Sequence, residues 1–283
     1  MTTEVKRQSL FIRHIALPQD HGSWVFLFSP LLIGIFTAGN FTAASVVLIV
    51  AAVAAFLLRQ PAAIAVKAFS GRRSRRDLAP AEFWMLVYGV IGLICLSGLI
   101  LLGFSYLLYL VIPGILVFAW HLMLISRRQE RRQIGVEIVG SGVLALAAPA
   151  ALWVGRGYAD PQGWWLFALA WLQSAASIVY AYLRLEQRSL PALPATDQRL
   201  RMGWRALLYT GFNFVAALGL AIAGLVPTLL PAAYAVQFAE TMYGALVRPA
   251  VGVKPTTIGF RQLAVSSIFT VLFILAWNAG KLF

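Results

Sequence analysis

Charge is what this sequence has least of. Only 12% of its 283 residues are charged, against about a quarter in a soluble domain. The shortage falls on the acids, with ten Asp and Glu against 23 Lys and Arg. Cysteine is nearly absent. Cys95 stands alone inside an apolar run, which excludes disulfides within the chain and reads as a core thiol. Three histidines, at positions 14, 21 and 121, are too few and too scattered for a zinc or haem site, so the expectation is no metal, and no residue pattern names a cofactor. HExxH, GxSxG, Walker loops and cysteine–histidine clusters are all missing, which removes the nucleotide, metalloprotease and serine-hydrolase signatures.

What fills the space is hydrocarbon: 60% of residues are hydrophobic and the mean hydropathy is +0.80. Apolar runs of 18 or more residues suit membrane-spanning helices, and in lipid only helices or closed barrels satisfy every backbone group. The runs are continuous rather than alternating, so the fold expected is all-α, a polytopic membrane protein in one transmembrane domain over 1–283. Nine spans are expected, at about 22–39, 41–58, 83–102, 104–125, 135–154, 163–183, 205–224, 227–246 and 261–279. Residues 1–16 read as a cytoplasmic, interfacial segment, and the first apolar run as a retained span.

The basic residues orient this layout. With the N-terminus cytoplasmic, every Lys and Arg except Arg156 and Lys281 falls on the inner side, as the positive-inside rule requires. A miscounted central span would invert the later loops and destroy the asymmetry. The expected location is therefore the bacterial cytoplasmic (inner) membrane, N-terminus inside and C-terminus outside. The net charge of +13 then faces anionic lipid headgroups rather than nucleic acid. Two long cytoplasmic connections, about 59–82 and 184–204, follow the second and sixth spans and suggest a pseudo-repeat.

Polar groups in such a chain cost about 2.5–3.5 kcal/mol each at a span centre if ionisable, so they mark candidates for function. Leu17-Pro18-Gln19-Asp20-His21-Gly22-Ser23-Trp24 opens the first span. Pro18, Gly22, Asp20 and Trp24 have structural uses there, whereas His21 suits a general base with Asp20 orienting it and Gln19 lining the mouth. Glu137 stands in the first turn of the fifth span, where the helix dipole favours it. In the eighth, Gln237, Glu240, Thr241 and Gly244 share one helical face, which indicates a pocket lining or an ion pair with an arginine. In the sixth, Gln173, Ser177, Tyr180 and Arg184 make a second polar stripe, and Asn213 adds an amide in the seventh. Interhelical bonding explains each of these singly. Arg59 and Lys67, taken with Arg184 and Arg188, could clamp a phosphate, because guanidinium offers a planar fork of donors. Arg72 to Arg76 reads as a topology and headgroup determinant, and His14 and His121 as surface or interfacial groups.

The Leu17–Trp24 stretch resembles the P-x-E/D-H-G-x-W signature of YwiC-like bacterial membrane proteins, and Ile258-Gly259-Phe260-Arg261-Gln262 is similar to a later part of that family. The resemblance runs from about residue 15 to the C-terminus and implies a polytopic inner-membrane protein. More distantly, nine spans with cytoplasmic loops after the second and sixth resemble UbiA-type intramembrane prenyltransferases. That likeness implies an isoprenoid or lipid phosphate as ligand. The Asp-rich motifs that hold Mg²⁺ and prenyl diphosphate in that family are missing here. Asp77, Glu186 and Asp197 stand singly, whereas Mg²⁺ prefers clustered carboxylates and water.

Three functional classes follow. The first is a pocket on a UbiA-like scaffold that binds a lipid-linked or isoprenoid phosphate, using Gln19, Arg59, Lys67, Tyr180, Arg184, Arg188, Asn213 and Glu240. Asp20 and His21 are then the candidate catalytic pair. The second is a small proton-coupled carrier with Glu240, Glu137 and His21 as relay groups. The third is an accessory or assembly subunit whose polar stripes only pack helices.

Overall fold

The computed structural model describes residues 10–18, 22–129 and 133–279. The described residues form helices and connecting turns, with no strand among them. In chain order the helices are α1 (Arg13–Ala16), α2 (Ser23–Ala38), α3 (Ala43–Phe69), α4 (Leu78–Leu101), α5 (Leu108–Ser126), α6 (Ile134–Ala145), α7 (Ala147–Arg156), α8 (Gln162–Arg188), α9 (Thr196–Ile222), α10 (Pro231–Met242) and α11 (Pro255–Ala279). A π-helical turn, Tyr243–Val247, continues α10. Seven helical segments among the described residues are long and apolar enough to cross a membrane, α6 and α7 counting together as one. The chain is a multi-pass, all-helical membrane protein. Helix α2 is apolar but shorter.

The connections expected at 59–82 and 184–204 are mostly helical. Helix α3 carries Arg59 and Lys67 and passes through Pro61 to Phe69. Arg184 and Arg188 likewise lie within α8, leaving only residues 189–195 before α9. Proline at an interior position removes one i→i−4 bond without ending a helix that lipid otherwise favours. The α6–α7 break has a similar origin: Pro149 cannot donate to the Ala145 carbonyl, and α7 restarts at Ala147.

Contacts divide the chain into two compact units, residues 1–21 with 43–133, and residues 22–42 with 134–283. In the first, α3 and α4 pack along each other, and α5 lies against α3. Helix α1 is too short to hold itself, and side chains of α3 and α4 tie it down. Gln60 donates to the His14 carbonyl (3.1 Å) and Tyr88 to that of Ala16 (3.0 Å). The Trp84 indole donates to the Leu10 carbonyl (3.2 Å). Ile15 is wholly buried against Ile64, Ala65 and Ala81. Arg72 donates to the Ile125 carbonyl near the end of α5, and Arg73 pairs with Asp77 at 2.5 Å.

Helix α8 is the hub of the second unit and touches every other helix there. Its middle, Gln173-Ser174-Ala175-Ala176-Ser177, is small enough for neighbours to approach closely, and all five residues are buried. Its neighbours also donate to its backbone: Asn213 of α9 to the Leu172 carbonyl (2.7 Å) and Tyr234 of α10 to that of Leu169 (2.9 Å). Trp171 returns a bond to Ile138 of α6 (2.8 Å). Helices α2 and α7 meet even more tightly. A Cβ at Gly34 would sit 2.2 Å from the Ala148 carbonyl oxygen, so only glycine fits.

The turn before α8 is closed by Asp160. Its carboxylate pairs with Arg156 and accepts from the Gln162 N–H (2.8 Å), and its carbonyl accepts from the Trp153 indole (2.7 Å). Burial alone would push this carboxyl up. The Gln162 N–H, the Arg156 hydrogen bond and charge, and the Tyr158 hydroxyl together pull it below the ordinary value. A depressed carboxyl stabilises the fold above its unfolded-state value, about 3.9, and loses that contribution as pH falls through the folded value. In detergent, Asp160→Asn should lower stability at neutral pH by about 1 kcal/mol. The gap between the two proteins in thermal melts should close as pH drops below ~3.9.

Candidate functional site

A cavity of about 250 Å³ opens within the second unit among α8, α10, α11 and the segment that joins the π turn to α11. Four polar side chains from three elements dominate it: Tyr180 and Arg184 of α8, Glu240 of α10 and Arg261 of α11. Arg248, Gln237, Ser177, Thr257 and Gln262 complete the polar lining, and Pro249, Val253, Ile258 and Val265 the apolar part.

Glu240 is the centre of this arrangement. Arg261 grips it with two bonds, Nε to Oε1 at 2.6 Å and Nη2 to Oε2 at 2.7 Å, the fork geometry that makes arginine–carboxylate pairs strong. The Tyr180 hydroxyl donates to Oε1 (2.9 Å) and lies 3.2 Å from the Glu240 carbonyl oxygen. Arg261 also stacks over the Tyr243 ring, 5.2 Å from its centroid. Glu240 thus joins three helical elements through one carboxylate.

Arg184 is only 5% exposed, and a bare guanidinium there would be prohibitive. Its Nη1 donates to the carbonyls of Gly244 (2.6 Å) and Arg248 (2.8 Å) and to Gln187 Oε1 (3.0 Å). The π turn supplies the first of these carbonyls, and Arg248, the residue that caps it, the second. Its widened i→i+5 bond, Arg248 N–H to the Tyr243 carbonyl (2.8 Å), leaves neighbouring carbonyl oxygens available, as π-bulges often do at functional sites. Gly244 is required for the fit: a Cβ there would lie 1.9 Å from the Tyr180 hydroxyl and 3.1 Å from Arg184 Nη1. Gln187 Oε1 also accepts from the Ala250 N–H (3.1 Å), which fixes the chain as it leaves the π turn.

Of the residues expected at the site, Tyr180, Arg184 and Glu240 come together in this cavity. Arg188 stands beside it, its Nε donating to the carbonyl of the lining residue Val253 (3.3 Å). Asn213 does not line the cavity; its amide binds α9 to α8. Arg59 and Lys67 belong to the other unit, where the Arg59 guanidinium lies 5.2 Å from the Phe56 ring centroid. Gln19, Asp20 and His21 fall outside the described residues. Glu137 accepts from the Tyr182 hydroxyl (2.6 Å).

Arg261, Arg248 and Gln262 are not singled out as site residues by sequence reasoning. Arg248 and Arg261 read simply as topology charges. The signal for Arg261 was its position at the start of the expected last span, because a carboxylate buried in a neighbouring span needs a cation within reach. Among the described residues no three His, Cys, Asp or Glu side chains gather as a metal site. The cavity's single carboxylate is already held by Arg261, a donor set unsuited to Mg²⁺. Three arginines against one glutamate instead favour an anion.

A hydroxyl–methyl clash makes this geometry testable. Gly244→Ala should destabilise the protein by roughly 1–3 kcal/mol. Adding Tyr180→Phe, which removes the clashing oxygen, should recover part of that loss in a double-mutant cycle of thermal melts. Strictly additive effects would show that the two side chains do not meet.

No curated protein and no solved structure matches the chain. One family does. Residues 17–152, which begin at the Leu17-Pro18 opening and end inside α7, match the family model described as YwiC-like protein, so over just under half of its length the chain is similar to that family.

Proposed function

We propose that this membrane protein uses the cavity among α8, α10 and α11 to bind the phosphate of a lipid-linked or isoprenoid ligand. The supporting observation is the excess of guanidinium in a confined site: Arg184, Arg248 and Arg261 face one carboxylate, Glu240. Arg184 Nη1 is occupied by carbonyls, so its remaining donors and the exposed Arg248 serve the ligand. The lining residues Val253, Ile258 and Val265 give an apolar side to a site whose remaining lining is mostly polar, which suits an amphiphile.

The same reading puts the cavity on the cytoplasmic side of the bacterial inner membrane, with nine spans on a UbiA-like scaffold. The two shorter helical segments, α2 and α10 with its π turn, make up the count beyond the seven long ones. Arg188 and Lys254, beside the cavity in sequence, belong to the inner basic set that the positive-inside rule assigns.

Two experiments bear on this. Native mass spectrometry of gently purified protein should show an anionic lipid co-purifying. Arg248→Ala and Arg261→Ala should each weaken rebinding by about tenfold or more, the worth of a charged hydrogen bond. Absence of any anionic lipid, or unchanged binding by both variants, would overturn the phosphate reading. For topology, Ser105→Cys and Ser189→Cys in a Cys95→Ala background are exposed positions separated by three proposed crossings. An impermeant maleimide should reach position 105 in intact cells, or spheroplasts, and position 189 only after permeabilisation. Labelling on the same side would break the span count, and the reverse pattern would invert the orientation.

A further inference from the structure

We propose that the phosphate ester taken by this cavity carries hydroxyl groups on its head, and that Gln237 and Gln262 read them; this rests on the phosphate reading above. Gln237 lines the cavity, is 3% exposed, and its Oε1 has no hydrogen-bond partner among the described residues. Ser177 donates to Oε1 of Gln262, another lining residue, at 2.9 Å, and the Nε2 of that amide is buried without a partner among the described residues. The residues lining the site therefore include one unused acceptor and one unused donor. A buried polar group without a partner costs about 1–3 kcal/mol, and two of them at one cavity describe the chemistry that should fill it.

A hydroxyl group both donates and accepts, and answers Gln237 Oε1 and Gln262 Nε2 in one chemical type. A bare phosphate has no carbon-borne hydroxyl to place there, and an isoprenoid chain would leave both amides unsatisfied. Size agrees. At about 250 Å³ the cavity is below the ~300–1,000 Å³ of typical small-molecule pockets, so it holds a head and not a chain. The arginines then hold the phosphate, the amides select the hydroxylated substituent, and any acyl tail lies outside the cavity. The ester could be a lipid headgroup or a free phosphate ester with the same head.

Native mass spectrometry in a mixed detergent–lipid competition separates the cases, using phosphatidylglycerol, phosphatidate and a polyprenyl phosphate as probes. Phosphatidylglycerol should be preferred over the other two by roughly three- to tenfold, one net hydrogen bond's worth. Gln237→Leu, which removes the amide at similar size, should bring phosphatidylglycerol down to the level of phosphatidate. Thermal melting checks that this variant folds, and the wild-type preference stands on its own if it does not. Calorimetry with glycerol 3-phosphate against inorganic phosphate tells the sources apart. Binding of the soluble ester assigns a free metabolite, and binding of the lipid alone assigns a headgroup; either supports the hydroxylated head. Equal binding of the three lipids by wild type, with Arg248→Ala weakening all of them, would overturn the hydroxyl inference and leave the phosphate reading intact, the amides then holding only water. Equal binding by wild type and Arg248→Ala alike would overturn both.

Discussion

An arginine buried among apolar helices must have its donors satisfied before anything can pack around it. Arg184 meets that demand with carbonyl oxygens rather than a carboxylate, and much of the second unit follows from the choice. Carbonyls inside an α-helix are already engaged, so α10 must widen into a π turn to release them. The turn can approach only if residue 244 has no side chain, because the Tyr180 hydroxyl occupies that space. The chain leaving the turn is then fixed by Gln187, which shares one amide oxygen between Arg184 and the Ala250 N–H.

Neutral oxygens solvate Arg184 without cancelling its charge, and the consequence is electrostatic. Had a carboxylate paired it, the cavity would hold three cations against two anions, an excess of one. Instead Glu240 is committed to Arg261 and Tyr180, and Arg184 and Arg248 remain in excess. In a medium where an ion costs several kcal/mol to bury, an uncompensated positive site is an expense that a purely structural cluster would be expected to shed. Helix packing needs the amide bond from Asn213 and the hydroxyl bond from Tyr234. It does not need three guanidinium groups around one carboxylate.

Much of this was legible in the residues, and the exceptions have physical reasons. Continuous apolar runs imply helices, and among the described residues helix overlaps each run, seven of the segments being long and apolar enough to cross a membrane, because lipid forbids unpaired backbone whatever the local propensity. The helices run past the expected ends at Arg59 and Arg184, since a basic side chain does not stop a helix where its charge is otherwise met, as the Gly244 and Arg248 carbonyls meet that of the buried Arg184. Tyr180, Arg184, Glu240 and Gly244 stood out as costly or small residues recurring on helical faces. Arg261 and Gln262 did not, because one basic residue near a span's end looks the same whether it faces lipid headgroups or a buried carboxylate on a helix 21 residues away in sequence. Period and composition place a residue on a face; they do not say which faces meet.

The grip on Glu240 also weighs between a binding site and a proton relay. A relay carboxylate must exchange its proton and its partners as the carrier turns over. Glu240 has both oxygens held by a two-bond arginine fork and one of them also by a tyrosine hydroxyl, at 2.6–2.9 Å. Releasing it would break bonds to α8 and α11 together, the two helices that form the cavity walls opposite α10. That arrangement suits a carboxylate that holds Arg261 in place and sets the shape of the cavity, while the unpaired donors of Arg184 and Arg248 remain for an anion. The Glu137 relay partner is no better placed, since its carboxylate is engaged by the exposed Tyr182 hydroxyl. Within the second unit, the bonding favours holding an anion over passing a proton.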